Sequence, residues 1–209
     1  MNIDDYFKYR LPYDKNREIV WKEIAKYLQK FIPKTSKILE LGAGYCEFIN
    51  NIQGQEKHAL DVYQEIKNFA KQDVITHVSS CTKIKLDKES FDIVFASNLL
   101  EHLNKEDIDK TLNEIYRILK KEGKLILIQP NFKYAYKEYF DDYTHQTIFT
   151  DLSLNDLLLS KNFTILKLMP KFLPISLKSK LPKNSLLIKT YLHSPIKPFG
   201  KQMLVIAKK

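Results

Sequence analysis

Two glycines and two acids stand at the spacing of a site that binds a nucleoside-like ligand. Gly42 and Gly44 form a Gly-x-Gly turn behind a short apolar stretch, where bare backbone lets a ligand approach closely. Glu40 lies just before the turn, and its carboxylate can pair with a cationic ligand. Asp61 follows about 20 residues after the turn, at a position from which a carboxylate binds both hydroxyls of a ribose. An ordinary strand-to-helix turn is the alternative interpretation of the glycines alone.

The residues behind this turn argue against a dinucleotide. The dinucleotide pattern Gly-x-Gly-x-x-Gly requires a third glycine, and Glu47 stands at that position. The shorter Gly-x-Gly-x-Gly spacing would place the third glycine at Cys46. An acid in the first turn of a helix would repel a pyrophosphate bound there. The pattern therefore favours a ligand without phosphate.

A histidine in an acidic loop is the leading candidate for a general base. His145 belongs to a residue type that titrates near neutral pH, and a neighbouring carboxylate such as Asp142 can orient its ring. A surface histidine with local hydrogen bonds is the alternative. His102 follows an apolar turn, so we assign it first to packing and second to substrate contact.

Aromatic residues and an arginine surround these candidates in the sequence. Tyr136 and Tyr139 belong to an aromatic loop that either lines a substrate pocket or covers a sheet edge. Tyr13 and Arg17 belong to an N-terminal arm whose default role is surface packing. The functional alternative is a lid whose tyrosines and arginine hold a ligand carboxylate.

Strands that alternate with helices must position these residues. Apolar runs bounded by turn residues predict strands at 38–41, 57–62, 76–80, 91–97, 124–129, 163–168 and 203–207. Helical spacing predicts helices at 14–31, 45–52, 104–120 and 154–160, with Gly123 as the C-cap of the third. This alternation implies right-handed crossovers and a mostly parallel sheet that binds ligands at the carboxyl ends of its strands. The residues at those ends are Gly42, Asp61, Ser80, Ser97 and Pro130.

Length and composition suit one α/β domain, residues 1–209. Within it we distinguish a helical arm or lid at 1–33, a substrate loop at 131–150 and a basic insertion at 170–201. Two cysteines without metal-ligand spacing predict free thiols and no bound metal. The charged beginning and the lack of a long apolar run predict a cytoplasmic location.

The net charge of +9 is concentrated in the C-terminal quarter, where eleven lysines and no acid follow Asp156. Only three of the 34 basic residues are arginines, the residue type that usually reads bases and phosphates, so nucleic acid is an unfavoured partner. The lysine-rich segment 171–201 is interpreted as a solvated wrap over the last strands. The alternative is a peripheral contact with an anionic membrane surface or a lipid-linked substrate.

The combined motifs resemble class I S-adenosylmethionine-dependent methyltransferases of the small-molecule type. They are ILELGAG, ALDVY, FDIVFASNLLEHL, YRILKKEGKLILIQPN and IFTDLSLNDLLLSKNF. The tail is similar to that of a bacterial subgroup loosely associated with cell-surface polysaccharide gene clusters. The resemblance implies a Rossmann-like, doubly wound seven-stranded sheet of order 3-2-1-4-5-7-6 with the last strand antiparallel.

The resemblance also implies roles for individual residues. Glu40, Gly42 and Gly44 would surround the methionine part of the cofactor, and Asp61 would bind its ribose. Ser80 and Cys81 align where the family often has an acid beside the adenine amino group, so Ser80 is a departure and the Cys81 N–H would recognise the adenine. Asn98, Leu99 and His102 would lie close to the sulfonium and its methyl group.

We therefore expect S-adenosylmethionine-dependent methyl transfer to a small molecule or glycan, at oxygen, by a monomer or homodimer. His145 and Asp142 would act in catalysis. Tyr13, Arg17, Tyr136, Tyr139 and His102 would contact the substrate. The alternatives are a methyltransferase of RNA or protein and a non-catalytic partner protein that keeps the fold.

Overall fold

The computed structural model describes residues 2–174 and 184–209, and within them seven strands form one sheet. The strands are β1 Lys37–Leu41, β2 Glu56–Asp61, β3 Val74–Val78, β4 Phe91–Ser97, β5 Leu119–Pro130, β6 Thr164–Leu173 and β7 Gln202–Lys208. Their order is β3-β2-β1-β4-β5-β7-β6, and β7 pairs antiparallel with both neighbours. The fold class, the strand order and the antiparallel last strand are confirmed.

The central strands end together at one edge of the sheet. Leu41 of β1 lies in register with Leu60 of β2 and with Ala96 of β4, and all three strands are parallel. The turn after β1, the end of β2 and the loop after β4 are therefore neighbours. Such an edge is the usual ligand site of a parallel sheet.

Seven helices accompany the strands in the described part of the chain. They are α1 Ile3–Asp5, α2 Asn16–Leu28, α3 Ile66–Phe69, α4 Lys105–Ile118, α5 Phe132–Ala135, α6 Asp151–Ser160 and α7 Ser185–His193. A single π-helical turn, Tyr6–Arg10, follows α1, and one 3₁₀ turn, Leu100–His102, follows β4.

Local sequence sets where the two longest helices of one face begin. The Asn104 side chain accepts a hydrogen bond from the Asp107 N–H and caps α4. Thr150 and Ser153 form a reciprocal capping box at the start of α6. Both helices thereby satisfy N–H groups that have no partner within the helix.

Apolar side chains form a core on each face of the sheet. On one face, Trp21 of α2, Phe48 and Phe95 of β4 pack together, with the rings of Phe48 and Phe95 stacked at 3.7 Å. On the other face, Leu112 of α4 and Leu154 of α6 lie fully buried against the sheet. Strands covered on both sides explain why their sequences are nearly continuous apolar runs.

Two predicted local features are wrong. Residues 45–52 form a series of turns, because Cys46 has a left-handed backbone (φ 57°) and the Ile49 N–H donates to the Glu40 carboxylate instead of continuing a helix. Gly123 is not a helix C-cap but lies within β5, since α4 ends at Ile118 and the strand starts directly afterwards.

The lysine-rich segment is described only in part. β6 continues through its first residues to Leu173, α7 occupies its middle, and residues 175–183 lie outside the described residues. In the described ranges, we find no helix whose length and apolar character would let it span a membrane.

Candidate active site

The turn after β1 has the backbone that the two glycines predict. Gly42 and Gly44 have φ angles of +64° and +48°, in the left-handed region that favours glycine. A Cβ on Gly42 would lie 3.0 Å from Cδ1 of Leu99, and one on Gly44 would lie 3.3 Å from the ring of Phe7. Larger residues at both positions would therefore be strained and crowded.

Asp61 holds this turn in place. One carboxylate oxygen of Asp61 accepts the Gly44 N–H at 2.8 Å, and the other accepts the Tyr63 N–H at 2.9 Å. The side chain is buried, and burial raises the pKa of its carboxyl group. The acid at the end of β2 thus lies directly against the glycine turn.

Glu40 adds a second buried carboxyl group beneath the turn. Its Oε2 accepts the Ile49 N–H at 3.0 Å, and the side chain is enclosed. Burial raises the pKa of Glu40 well above its usual value, and the charges of Glu47 and Asp61 raise it further. A raised pKa favours the protonated form of Glu40, and a cationic group bound beside it would favour the charged form.

Arg17 approaches the same turn from α2. Its guanidinium pairs with Glu47 at 2.7 Å, and only 14% of its side chain is exposed. Within the described structure, Nε and Nη1 of Arg17 are buried and have no hydrogen-bond partner. These N–H groups are available to a ligand carboxylate.

The two residues predicted beside an adenine differ in exposure. Ser80 is exposed, and its hydroxyl bonds the Thr82 hydroxyl at 2.8 Å. Cys81 is buried, its sulfur accepts from the Thr111 hydroxyl at 3.5 Å, and burial raises the pKa of the thiol. The Cys81 side chain is therefore a packing group and not a reactive one.

Asn98 and Leu99 connect the turn after β4 to its neighbours. Asn98 has a left-handed backbone (φ 50°), and its side-chain oxygen accepts from Gln202 at 3.0 Å. Leu99 packs against Gly42, and its N–H donates to Gln129 at 3.3 Å. The loop that was predicted to lie near the methyl group is thus in contact with the glycine turn.

A second buried polar cluster begins directly after Leu99. The N–H groups of Gln146 and Thr147 donate to the Glu101 carbonyl at 2.8 and 3.1 Å, which folds the 139–147 loop back onto the 3₁₀ turn after β4. This contact brings His145 against His102, with ring centroids 4.9 Å apart. Two histidines distant in sequence therefore share one site with Glu101.

The side chains of Asp142 and His145 do not hydrogen-bond to each other. Nε2 of His145 lies 4.0 Å from Oδ2 of Asp142, and the Asp142 carboxylate accepts instead from Arg10 at 2.7 Å and from the Thr144 hydroxyl at 2.6 Å. Burial alone would raise the pKa of Asp142, but the Thr144 and Arg10 hydrogen bonds lower it to about 2. Nδ1 of His145 contacts the Tyr139 carbonyl at 2.5 Å, so the loop backbone orients the ring.

Glu101 and His102 have strongly shifted pKa values. Glu101 is fully buried, and burial raises its pKa to about 8. Burial, together with the neighbouring His145, lowers the pKa of His102 to about 4. Burial also lowers the pKa of His145. Both imidazoles are consequently neutral at pH 7.

The predicted aromatic contacts divide into exposed and buried residues. Tyr13 and Tyr136 are each 57% exposed, and Tyr13 packs edge-on against Tyr45. Tyr139 is fully buried, and its hydroxyl donates to the Thr147 carbonyl at 2.5 Å. Tyr139 thus supports the loop through the packing of its ring and through its carbonyl, which contacts Nδ1 of His145.

Sequence reasoning did not assign Glu101, Gln129 or Arg10 to the site. Glu101 lies in a 3₁₀ turn of three residues, which is too short for a periodic pattern of apolar residues to indicate that it is buried. Gln129 lies inside the apolar run of β5. The one available signal was the acid beside His102 at the end of a buried strand.

The comparison with known families agrees with the geometry of the glycine turn. Residues 39–127 match a family described as a methyltransferase domain. This range includes the glycine turn, Asp61, Glu101 and His102, but not His145. The match covers less than half of the chain, so it assigns these residues, and not the whole chain, to that family. The methyltransferase fold also extends beyond the matched residues. A solved S-adenosylmethionine-dependent methyltransferase from Archaeoglobus fulgidus superposes with a TM-score of 0.68 at 20% identity, covering 98% of each chain.

Two relatives are similar to part of this chain. An uncharacterized protein of Methanocaldococcus jannaschii is 32% identical over 128 residues, or 60% of this chain and 56% of the relative. A phosphoethanolamine N-methyltransferase of Plasmodium falciparum is 25% identical over 144 residues, or 62% of this chain and 54% of the relative. The matched region therefore spans little more than half the length of either relative.

S-adenosylmethionine is the cofactor of this family, and the described residues fit it. Its sulfonium and ammonium groups suit the acids around the turn, and its carboxylate suits the buried Arg17 N–H groups without a partner. The glycines leave room for close approach, and we predict that Asp61 binds the ribose.

Proposed function

We propose that this methyltransferase transfers the methyl group of S-adenosylmethionine to a hydroxyl of a small molecule or glycan. The observation that carries the proposal is the contact between two sites. Leu99 packs on Gly42 of the cofactor turn, and the Glu101, His102 and His145 cluster begins two residues later. Groups able to accept a hydroxyl proton therefore adjoin the place where the methyl is expected.

The chain's own residues have two tasks in such a reaction. The cofactor, when bound, supplies a methyl group on a sulfonium, which an acceptor oxygen takes in line as the carbon–sulfur bond breaks. Positioning by the turn and the loop after β4 brings the two reactants together. His145, whose Nδ1 is turned to the Tyr139 carbonyl, presents Nε2 to the cluster as the acceptor of the hydroxyl proton.

Transfer to an amine is a second candidate. The relative from Plasmodium falciparum is named a phosphoethanolamine N-methyltransferase, and an amine acceptor also loses a proton during methylation. The same cluster would accept that proton. The two candidates differ in the acceptor atom and not in the cofactor site.

Labelled methyl transfer tests the proposal. The purified protein is incubated with methyl-labelled S-adenosylmethionine and separated pools of small molecules, glycans, RNA and protein. We expect label in the small-molecule or glycan pool, on oxygen, and its loss in Asp61→Asn. Label only in RNA or protein would contradict the proposal, and label on nitrogen would favour the second candidate. Full turnover in His145→Ala on the labelled acceptor would exclude the base role.

We also propose that the lysine-rich segment contacts anionic membrane surfaces. Leu186 and Leu187 of α7 are 69% and 55% exposed, and Ile196 and Phe199 nearby are 73% and 60% exposed. Each lysine near such a surface contributes about 1 kcal/mol of attraction. Flotation with phosphatidylserine vesicles tests this, with binding expected at low salt and lost at high salt. Equal recovery with neutral vesicles would contradict it.

A further inference from the structure

The second cluster holds three metal-ligating groups in one place. One ligand atom each from Glu101, His102 and His145 lies within 4.8 Å of the others. Glu101 is fully buried, and only 8% of the His145 side chain is exposed. The grouping is built by the fold, since the loop contact that carries His145 to Glu101 joins distant parts of the sequence.

One oxygen of this cluster lacks the partner that a buried carboxylate requires. Oε2 of Glu101 accepts from Gln129 at 3.0 Å, but Oε1 is buried without a hydrogen-bond partner in the described structure. Buried polar atoms are nearly always satisfied, so this oxygen indicates a ligand or a proton that completes the site.

The hydrogen bonds around His102 fix which of its nitrogens is free. The Thr144 hydroxyl donates its proton to Asp142 at 2.6 Å, so its oxygen accepts from Nδ1–H of His102 at 2.9 Å. Nε2 of His102 is then left with an unprotonated lone pair. The assignment follows from the donors and acceptors on both sides of the hydroxyl.

The same reasoning applies to His145. A carbonyl oxygen only accepts, so Nδ1 of His145 must donate to Tyr139. Nε2 of His145 is therefore also unprotonated and carries a lone pair. Metal-binding histidines are typically oriented in this way, with the second ring nitrogen bonded to a carbonyl or another oxygen.

We propose that Glu101, His102 and His145 bind a divalent transition-metal ion of the zinc class. Two imidazole nitrogens and one carboxylate are a donor set that such ions prefer, with a further position open. Bonds of about 2.0–2.2 Å place ligand atoms roughly 3–4 Å apart, so the cluster closes on an ion by a shift of less than about 1 Å. The sequence predicted no metal because these ligands have no common spacing.

The open position gives the ion a role, which rests on the proposed function. An acceptor hydroxyl bound there would become more acidic and would give its proton to water. Its oxygen would then form the bond to the methyl carbon as the carbon–sulfur bond breaks. With the ion bound, Nε2 of His145 would be a ligand, so the base role proposed above for His145 would apply only to the metal-free site.

Calorimetric titration of the chelator-treated chain with Zn²⁺ tests the site. We expect one equivalent to bind, with affinity weakened at least about 10-fold in Glu101→Gln and His145→Ala, as loss of one ligand predicts. Glu101→Gln keeps an acceptor for Gln129, and binding of S-adenosylhomocysteine checks that each variant is folded. His193→Ala, on the exposed face of α7, is the matched control and should bind Zn²⁺ like the parent protein.

Absence of Zn²⁺ binding, or equal binding by Glu101→Gln and the parent protein, would overturn the proposal. Substitution of Co²⁺ provides a second readout, since ligation by the histidines changes its visible spectrum and His145→Ala should abolish that change. Turnover on a labelled acceptor separates the two proposals. If methyl transfer survives treatment with a chelator, the catalytic role of the ion is overturned and the proposed function stands. If the protein binds Zn²⁺ but no molecule in any pool becomes methylated, the proposed function is contradicted and the metal site stands.

Discussion

The Asp61 carboxylate accepts backbone N–H groups from Gly44 and Tyr63. We predict that the same carboxylate also binds the cofactor ribose. A carboxylate offers about four acceptor sites, so both roles are compatible. An amide in its place offers one acceptor oxygen and introduces donors that face Gly44 or Tyr63.

Replacement of Asp61 by Asn should weaken cofactor binding. We expect the dissociation constant of S-adenosylhomocysteine to rise about 10- to 100-fold, the effect of losing about 1.5–3 kcal/mol of charged hydrogen bonding. Isothermal titration calorimetry measures it. Asp156→Asn, an exposed change on α6, is the control. Unchanged affinity in Asp61→Asn would show that the ribose binds elsewhere.

Cys46 stands where a third glycine would favour the backbone. Its φ of 57° is left-handed, which costs a residue with a Cβ about 1–2 kcal/mol. Its side chain is fully buried, with the sulfur 3.8 Å from the Ile66 carbonyl. Backbone strain and side-chain packing therefore oppose each other at this position.

Two substitutions separate these effects at Cys46. Cys46→Gly should change the free energy of unfolding by less than about 1 kcal/mol, because relief of strain offsets the lost packing. Cys46→Val should destabilise by about 2 kcal/mol or more, since a β-branched residue tolerates this backbone least. Urea unfolding measures both. A Val variant as stable as the parent protein would contradict the strain argument.

At the scale of elements, strands were predicted better than turns. The strands could be predicted because burial on both faces leaves a continuous apolar run such as Phe91–Ser97. The segment 45–52 has a helical pattern of apolar residues, but the Glu40 carboxylate binds its Ile49 N–H. That contact joins two elements, so the local pattern does not contain it.

A histidine pair links β2 and β3 away from the active site. Nδ1 of His58 lies 2.8 Å from Nε2 of His77, and Nε2 of His58 lies 2.7 Å from the Glu56 carboxylate. Glu56 also pairs with Lys37 at 2.8 Å. Burial lowers the pKa of both histidines, and the neighbouring His58 lowers the pKa of His77 further.

This pair should make the fold less stable in mild acid. Because both folded pKa values are lowered, the unfolded chain binds more protons, and stability is lost as the pH falls below about 6.5. His77→Gln should reduce that loss, by at most about 1.4 kcal/mol per pH unit. Urea unfolding between pH 7.5 and 5.5 measures the slope, with His193→Gln as control. An unchanged slope in His77→Gln would contradict the pKa argument.

At the scale of the whole molecule, the N-terminal segment joins the two sites. Phe7 stacks on Tyr63 at 3.9 Å beside the glycine turn, and Tyr6 packs edge-on against His102 at 5.5 Å. Arg10 then pairs with Asp142 of the loop. The segment covers both sites at once, so its opening would expose both to solvent.

Removal of the Arg10 side chain should loosen this cover. In Arg10→Ala we expect faster hydrogen exchange over residues 3–12 and about 3- to 10-fold weaker binding of S-adenosylhomocysteine, because the bound segment loses about 1 kcal/mol. Hydrogen exchange by mass spectrometry measures the opening. Lys8→Ala, an exposed change in the same turn, is the control. Equal exchange in both variants would exclude the Arg10 contact as the fastening point.

The sequence predicted the cofactor half of the site better than the half formed by Glu101, His102 and His145. The cofactor half depends on Gly42, Gly44 and Asp61, whose spacing along the chain reflects the strand–turn–strand path itself. The Glu101, His102 and His145 half depends on a loop that folds back through backbone hydrogen bonds. Backbone bonds leave no mark on residue type, so this convergence became visible only in three dimensions.

The position of β7 between β5 and β6 has a consequence for synthesis on the ribosome. β6 emerges first, yet it reaches the sheet only through β7. Until residues 202–208 emerge, the nascent chain carries an unpaired β5 edge and an unpaired β6, both prone to mispairing. The parallel strands β1, β2 and β4 around the cofactor turn emerge earlier. Cofactor captured by that half could therefore steady the unfinished chain before its last strand closes the sheet.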